Sequence, residues 1–77
     1  PNPFNGKTTI KWTSEISGQA QLTIYTIQGQ ELETLLDKFI SSGEYSTDFN
    51  ANQYSPGVYY YRLNIGDYMV ARKCIIF

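Results

Sequence analysis

Two groups of oxygen-bearing side chains come nearest to a reactive or metal-binding site in this sequence. Glu31 and Glu33 stand two residues apart in a segment with strand character, so their carboxylates would share one face. Glycoside hydrolases use carboxylate pairs, but a pair on a strand is usually a solvated face. Asp48, Asn50 and Asn52 offer oxygens for a loose Ca²⁺ site, while the loop composition around them favours Asx turns.

The residues of the common catalytic sites are missing. The chain has no His, which excludes Ser-His-Asp triads and the usual histidine metal sites. It also lacks the H-E-x-x-H, Walker A and G-x-G-x-x-G patterns. Cys74 is the single cysteine, so it cannot form an internal disulfide, and we predict a small buried residue on a strand. These observations predict a chain that is not an enzyme and that uses no cofactor or metal.

Composition indicates one small domain over residues 1–77. A chain of this length has a thin core, and seven Tyr, four Phe and one Trp supply large buried areas for it. A formal charge of −1 argues against a nucleic-acid binder, which normally carries a basic excess. No run approaches the roughly 18–20 apolar residues that a membrane-spanning helix needs.

Alternating polar and apolar residues predict short β-strands over 7–13 and 19–25. The segments 31–36 and 43–49 continue the series, although the leucines of 31–36 also fit helical spacing. Turn-forming residues separate the strands, among them Gln28-Gly29, where glycine allows a positive φ. Residues 37–42 are predicted to be a polar connection interrupted by Phe39 and Ile40.

The last third of the chain predicts a hairpin whose strands, 58–65 and 68–77, flank Gly66-Asp67. Gly-X is the signature of a two-residue type II′ loop, and such a loop sets the register. The expected pairs are Ile65 with Tyr68, Leu63 with Val70, Tyr61 with Arg72, and Tyr59 with Cys74. One face then carries the core residues Tyr59, Tyr61, Leu63, Ile65, Val70, Cys74 and Ile76, with Arg72 expected to lay its stem on the Tyr61 ring.

The other face of this hairpin is polar near the turn and apolar at the far end. Its members are Val58, Tyr60, Arg62, Asn64, Met69, Ala71, Lys73, Ile75 and Phe77. The apolar end is either covered by the domain's own loops or Tyr54, or exposed to a partner. Six or seven short strands with turns between them predict a small antiparallel all-β sandwich.

Several motifs, in this order and spacing, resemble the type A C-terminal sorting domain of the type IX secretion system of certain Gram-negative bacteria. They are Pro1-Asn2-Pro3-Phe4-Asn5, Thr8-Thr9-Ile10, Leu22-Thr23-Ile24-Tyr25 followed by Gly29, Ser55-Pro56-Gly57-Val58-Tyr59-Tyr60-Tyr61-Arg62-Leu63, and Arg72-Lys73-Cys74-Ile75-Ile76. The resemblance spans essentially the whole chain. It departs from the family pattern at Thr26, Gln30, Tyr54 and Phe77, where Asp, Arg, Leu and Lys are usual.

The resemblance implies an immunoglobulin-like β-sandwich that acts as a non-catalytic secretion signal attached to a larger cargo protein. Translocon components of the outer membrane would read it during periplasmic transit, and a surface signal peptidase would remove it. The cargo would reach the cell surface or be secreted. The alternative is an accessory β-sandwich of a secreted enzyme, either a spacer or a polysaccharide binder that uses Tyr25 and Tyr60 as exposed rings.

On the sorting hypothesis, the terminal strand offers a free edge where a partner adds a strand, or an end that a groove grips. The recognition candidates are Val58, Tyr60, Arg72, Lys73, Ile75, Ile76 and Phe77, of which Ile76 also belongs to the core face. The motif and scaffold candidates are Pro1, Asn2, Pro3, Gly29, Gly57, Tyr59, Tyr61 and Gly66.

Overall fold

The computed structural model describes residues 7–76, so Pro1, Asn2, Pro3 and Phe77 lie outside the described residues. It contains six β-strands and a short 3₁₀ helix at Ala51–Gln53. The strands are β1 Lys7–Ser14, β2 Gly18–Thr26, β3 Glu31–Ile40, β4 Gly43–Asn50, β5 Gly57–Ile65 and β6 Tyr68–Ile76. Within the described residues, no helix is long and apolar enough to cross a membrane.

The strands form two antiparallel sheets that enclose one apolar core. β1 pairs with β4, and the larger sheet has the order β3-β2-β5-β6. Both sheets contribute buried side chains, with Ile10 and Phe49 from the smaller one and Leu22, Ile24 and Ile65 from the larger. The predicted all-β sandwich is therefore confirmed, and the alternating patterns of β1, β2, β4 and β5 place its core correctly.

The terminal hairpin has the predicted register. Ile65 pairs with Tyr68 and Tyr59 with Cys74, with no shift between β5 and β6. Gly66 has φ of 57°, while no non-glycine residue of the described chain has a positive φ. A positive φ at Gly66 but not at Asp67 fits the type II′ turn. The N–H of Gly66 also donates to the carbonyl of Gln19 at 3.3 Å, which ties the turn to β2.

β3 is longer than predicted, and it is irregular. The expected polar connection over 37–42 is wrong, because the strand continues to Ile40 and pairs Phe39 with Gln19. The side chain of Gln19 also donates to the Asp37 carboxylate at 2.9 Å. Only Ser41 and Ser42 remain between β3 and β4. Backbone pairing to β2 outweighs the polar composition that suggested a loop.

Two register shifts explain the leucine spacing of β3. They fall opposite Leu22/Thr23 and Ile24/Tyr25, and they leave Leu35 and Leu32 as the extra residues of β-bulges. Each bulge changes the face on which the following side chains lie. Leu32, Leu35 and Leu36 all pack against the core as a result. The strand prediction is confirmed, and spacing that fits a helix is produced here by two bulges.

The β2–β3 turn uses Gly29 as predicted, with φ of 95°. The N–H of Gly29 donates to the Thr26 carbonyl at 2.9 Å, and the N–H of Gln30 donates to Thr26 Oγ1 at 3.0 Å. The Thr26 hydroxyl thus supplies a side-chain acceptor within the turn.

Tyr54 links the two sheets. Its ring lies 5.7 Å from that of Phe49 on β4 and 5.9 Å from that of Tyr59 on β5, measured between centroids. Its hydroxyl donates to the Glu33 carboxylate on β3, which also accepts from Gln53 Nε2 at 2.8 Å. Glu33 is half-buried, and it lies opposite Ile24 whereas Glu31 lies opposite Tyr25. The expectation that the two carboxylates share one solvated face is therefore wrong.

Asn50, the last residue of β4, forms the predicted Asx turn. Asn50 Oδ1 accepts from the N–H of Asn52 at 3.0 Å and caps the 3₁₀ helix. Asp48 Oδ1 accepts from Thr9 Oγ1 at 2.8 Å on the neighbouring strand. Among residues 7–76, no cluster of His, Cys, Asp and Glu is arranged to hold a metal ion.

Gly66→Ala is expected to lower the free energy of unfolding by about 1–2 kcal/mol, because an L side chain resists the positive φ of the turn. No atom lies within 4 Å of the position that a Cβ would take, so the cost comes from backbone strain. Urea unfolding measures it. Asp67→Ala is the control, since Asp67 has no positive φ. Equal losses in both variants would contradict the type II′ assignment.

Tyr54→Phe is expected to lower the free energy of unfolding by about 1 kcal/mol near neutral pH, because the hydrogen bond to Glu33 is lost. Burial, assisted by the Glu33 carboxylate, raises the pKa of Tyr54 from 10.0 to about 12. A raised pKa stabilises the folded state below pH 10, and this contribution disappears as the pH rises to about 12.

The difference in stability between the parent protein and Tyr54→Phe should therefore shrink between pH 10 and pH 12. Urea unfolding at a series of pH values measures this difference. Tyr68→Phe is the matched control, because Tyr68 is exposed. A difference in stability that stays constant to pH 12 would show that the protonated form of Tyr54 does not stabilise the folded state.

Candidate recognition surface

The hairpin register brings the recognition candidates of the outer face into direct contact. Val58 is opposite Ile75, and Tyr60 is opposite Lys73. Directly opposed residues of an antiparallel pair have neighbouring side chains on the same side of the sheet. Val58, Tyr60, Lys73 and Ile75 therefore form one continuous surface, which we call the hairpin patch.

The apolar end of the hairpin patch is exposed. Val58 is 37% exposed and Ile75 is 57% exposed, while Tyr60 is half-buried. Tyr54, a possible cover for this end, packs instead between Phe49 and Tyr59 on the inner side. No residue of the described part of the chain covers the patch enough to bury it, so exposure to a partner is the alternative that the structure favours.

Arg72 projects from the opposite side of β6 and is exposed. Its Nη1 donates to the Ala71 carbonyl at 3.2 Å. The cation–π contact found in residues 7–76 is formed by Arg62, whose guanidinium lies 4.8 Å from the centre of the Tyr25 ring. Arg62 Nη2 also donates to the Tyr25 hydroxyl at 2.5 Å. The predicted stacking of Arg72 on Tyr61 is therefore wrong, and the cation–π contact is that of Arg62 with Tyr25 on the outer face.

Sequence reasoning missed the pairing of Arg62 with Tyr25. The two residues are distant in sequence and meet only when β2 pairs with β5. This pairing aligns Thr23 with Arg62 and Tyr25 with Tyr60, which makes Arg62 the diagonal neighbour of Tyr25. An open groove of about 380 Å³ runs beside this pair, and Tyr60 and Gly29 are among the residues that line it.

The remaining candidates within residues 7–76 support the scaffold. Ile76 is only 7% exposed and belongs to the core, so its contribution is to packing. Tyr59 and Tyr61 pack against the core, and the Tyr59 hydroxyl donates to the Ser55 carbonyl at 2.6 Å. Gly57 is the first residue of β5 and pairs with Ile76. These residues hold the hairpin patch in place and are not part of it.

Cys74 lies on the inner side of β6, opposite Tyr59, and is half-buried. Burial raises the pKa of its thiol, which keeps the sulfur protonated at neutral pH. A protonated, half-buried thiol is a poor nucleophile, so the residue acts as a small apolar side chain of the strand.

Comparison with known proteins identifies a family for this chain. The family model for the secretion system C-terminal sorting domain matches residues 1–77. Comparison with curated proteins and with solved structures gives no match. The family acts as a sorting signal and is not known for catalysis, in keeping with a chain without histidine. Over its full length, the chain belongs to the secretion system C-terminal sorting domains and is a sorting signal of the type IX system.

Proposed function

We propose that the hairpin patch is the surface through which translocon components of the outer membrane recognise this domain. The observation that supports it is the exposed pair of Val58 and Ile75 beside Tyr60 and Lys73, on the terminal hairpin of a domain that carries a sorting signal. Apolar side chains that a fold leaves uncovered next to a cation are typical of a docking surface.

We also propose the export route of the attached cargo. Recognition takes place in the periplasm, the attached cargo then crosses the outer membrane, and a signal peptidase at the surface removes residues 1–77 as one sorting domain. The domain itself performs no catalysis. Its contribution is a folded shape with an accessible patch, which binds without any covalent step.

The physical requirement for such recognition is a surface that stays in place. β5 is fixed on one side by β2 and on the other by β6. Tyr59 and Ile76 anchor the end of the hairpin from the inner side, directly behind the apolar end of the patch. A patch held in this way loses little conformational entropy when it binds a partner.

The double variant Val58→Ser/Ile75→Ser tests the proposal in a reporter fused to residues 1–77, expressed in a host with a type IX system. Both side chains are exposed, so the substitutions should leave the fold intact. Loss of two apolar contacts is expected to lower surface delivery of the reporter by about tenfold or more. Delivery is quantified by surface labelling of intact cells.

Ile27→Ser/Phe39→Ser is the matched control. These residues are 56% and 67% exposed and lie outside the hairpin patch, so delivery should stay within about twofold of the parent. Deletion of residues 68–77 is a less specific test, since it also removes Val70 and Ile76 from the packed core. Equal delivery by both double variants would refute recognition through the patch.

A further inference from the structure

β6 has a free outer edge within the described residues, and the hairpin turn determines which backbone groups face it. In a two-residue hairpin, the residues that flank the loop exchange both backbone hydrogen bonds, and the pairs alternate from there. Tyr68, Val70, Arg72, Cys74 and Ile76 therefore direct their N–H and C=O groups to β5. The groups directed to the free edge belong to Met69, Ala71, Lys73 and Ile75.

The two outer edges of the larger sheet differ in their capacity to accept another strand. The β3 edge is interrupted by two bulges and carries Glu31, Glu33 and Asp37. Bulges and charges are the usual devices that block strand addition. β6 pairs with β5 along nine residues without a shift, so its free groups keep regular spacing. Arg72 and Lys73 place charges on the β6 edge as well, and Arg72 Nη1 donates to the Ala71 carbonyl, but β6 has no bulge. The β6 edge is therefore the more regular of the two.

The charge of β6 indicates the kind of strand that fits this edge. Arg72 and Lys73 lie at its middle, both are exposed, and the strand contains no acidic residue. If two copies of the domain paired antiparallel along this edge in full overlap, Arg72 would face the same residue of the second copy. Like charges directly opposite each other are unfavourable, which argues against self-pairing. A strand with carboxylates at its middle is complementary.

We propose that β6 accepts an extended acidic segment of the type IX machinery as an additional strand of the sheet. This segment carries carboxylates opposite Arg72 and Lys73, and apolar residues at alternate positions that cover Met69 and Ile75, each 57% exposed. The inference rests on the proposed recognition through the terminal hairpin and specifies how it occurs. Backbone hydrogen bonds hold the added strand, and side chains on both faces of β6, with Arg72 on the inner side and Lys73 on the outer side, select it.

Proline at position 71 tests strand addition in the reporter fusion. The N–H of Ala71 faces the free edge, so Ala71→Pro removes a donor for the added strand and leaves the bonds of Val70 and Arg72 to β5. Ala71→Thr keeps the N–H and suits a strand. Asp37→Pro makes the equivalent change on the β3 edge. We expect Ala71→Pro to lower delivery by about tenfold, and both controls to stay within about twofold.

The outcomes separate this inference from the proposed function. If Val58→Ser/Ile75→Ser blocks delivery while Ala71→Pro is delivered normally, the hairpin patch is recognised but no strand is added. If neither variant affects delivery, recognition by the hairpin fails as well. Near-UV circular dichroism of each purified fusion shows whether the sandwich is intact.

Peptide binding to the purified fusion tests the charge preference without dependence on a proline variant. The probe is a synthetic peptide with two central glutamates between alternating valine and threonine, and the control peptide has lysines at its centre. The glutamate peptide should bind about tenfold more tightly at low salt, with the preference falling as salt is raised. Arg72→Glu/Lys73→Glu should reverse the preference.

Hydrogen exchange locates the bound peptide. Mass spectrometry should show slower exchange in residues 68–76 with the glutamate peptide, and no change in residues 31–40. Equal binding of both peptides, protection of the β3 edge, or assembly of the unliganded fusion into dimers with protected β6 amides would each overturn the inference.

Discussion

The structure depends on packing a two-stranded sheet against a four-stranded one. β1 and β4 cannot cover the whole inner face of β3-β2-β5-β6 with aliphatic side chains alone. Aromatic rings extend the cover at both sides of the smaller sheet. Trp12 and Tyr45 stack at 4.7 Å, and Phe49, Tyr54 and Tyr59 continue from β4 to β5. Burial of large rings explains how a chain of 77 residues supports a sandwich.

This unequal pairing also accounts for the polar contacts between the sheets. The Tyr54 hydroxyl points toward β3, where the Glu33 carboxylate accepts hydrogen bonds from it and from Gln53 Nε2. A phenol needs a partner when it is buried, and a nearby carboxylate is a strong acceptor. A leucine at position 54 would need neither partner.

Local rules predicted much of the fold because they act between residues close in sequence. The turn at Gly66-Asp67 determined the whole β5–β6 register, and alternation identified the inner face of β2. The end of β3 was mispredicted because its extension to Ile40 depends on pairing with β2, which a single segment does not reveal. The same limit applies to the site: the hairpin patch followed from alternation, whereas the contacts of Tyr54 with Glu33 and of Arg62 with Tyr25 join distant segments.

The short turn at Gly66 has a consequence for how such a signal can vary during evolution. Because the loop sets the parity of both strands, core residues and surface residues occupy alternate positions along the hairpin. Substitutions at the outer positions, and at the exposed inner residue Arg72, change what a partner meets, whereas those at the buried inner positions change the packing. A single inserted residue within either strand would exchange the two roles for every position beyond it unless a bulge absorbed it, as two bulges do in β3. The packing and the recognition surface of the hairpin can therefore change independently by substitution, whereas a change of strand length would alter both together.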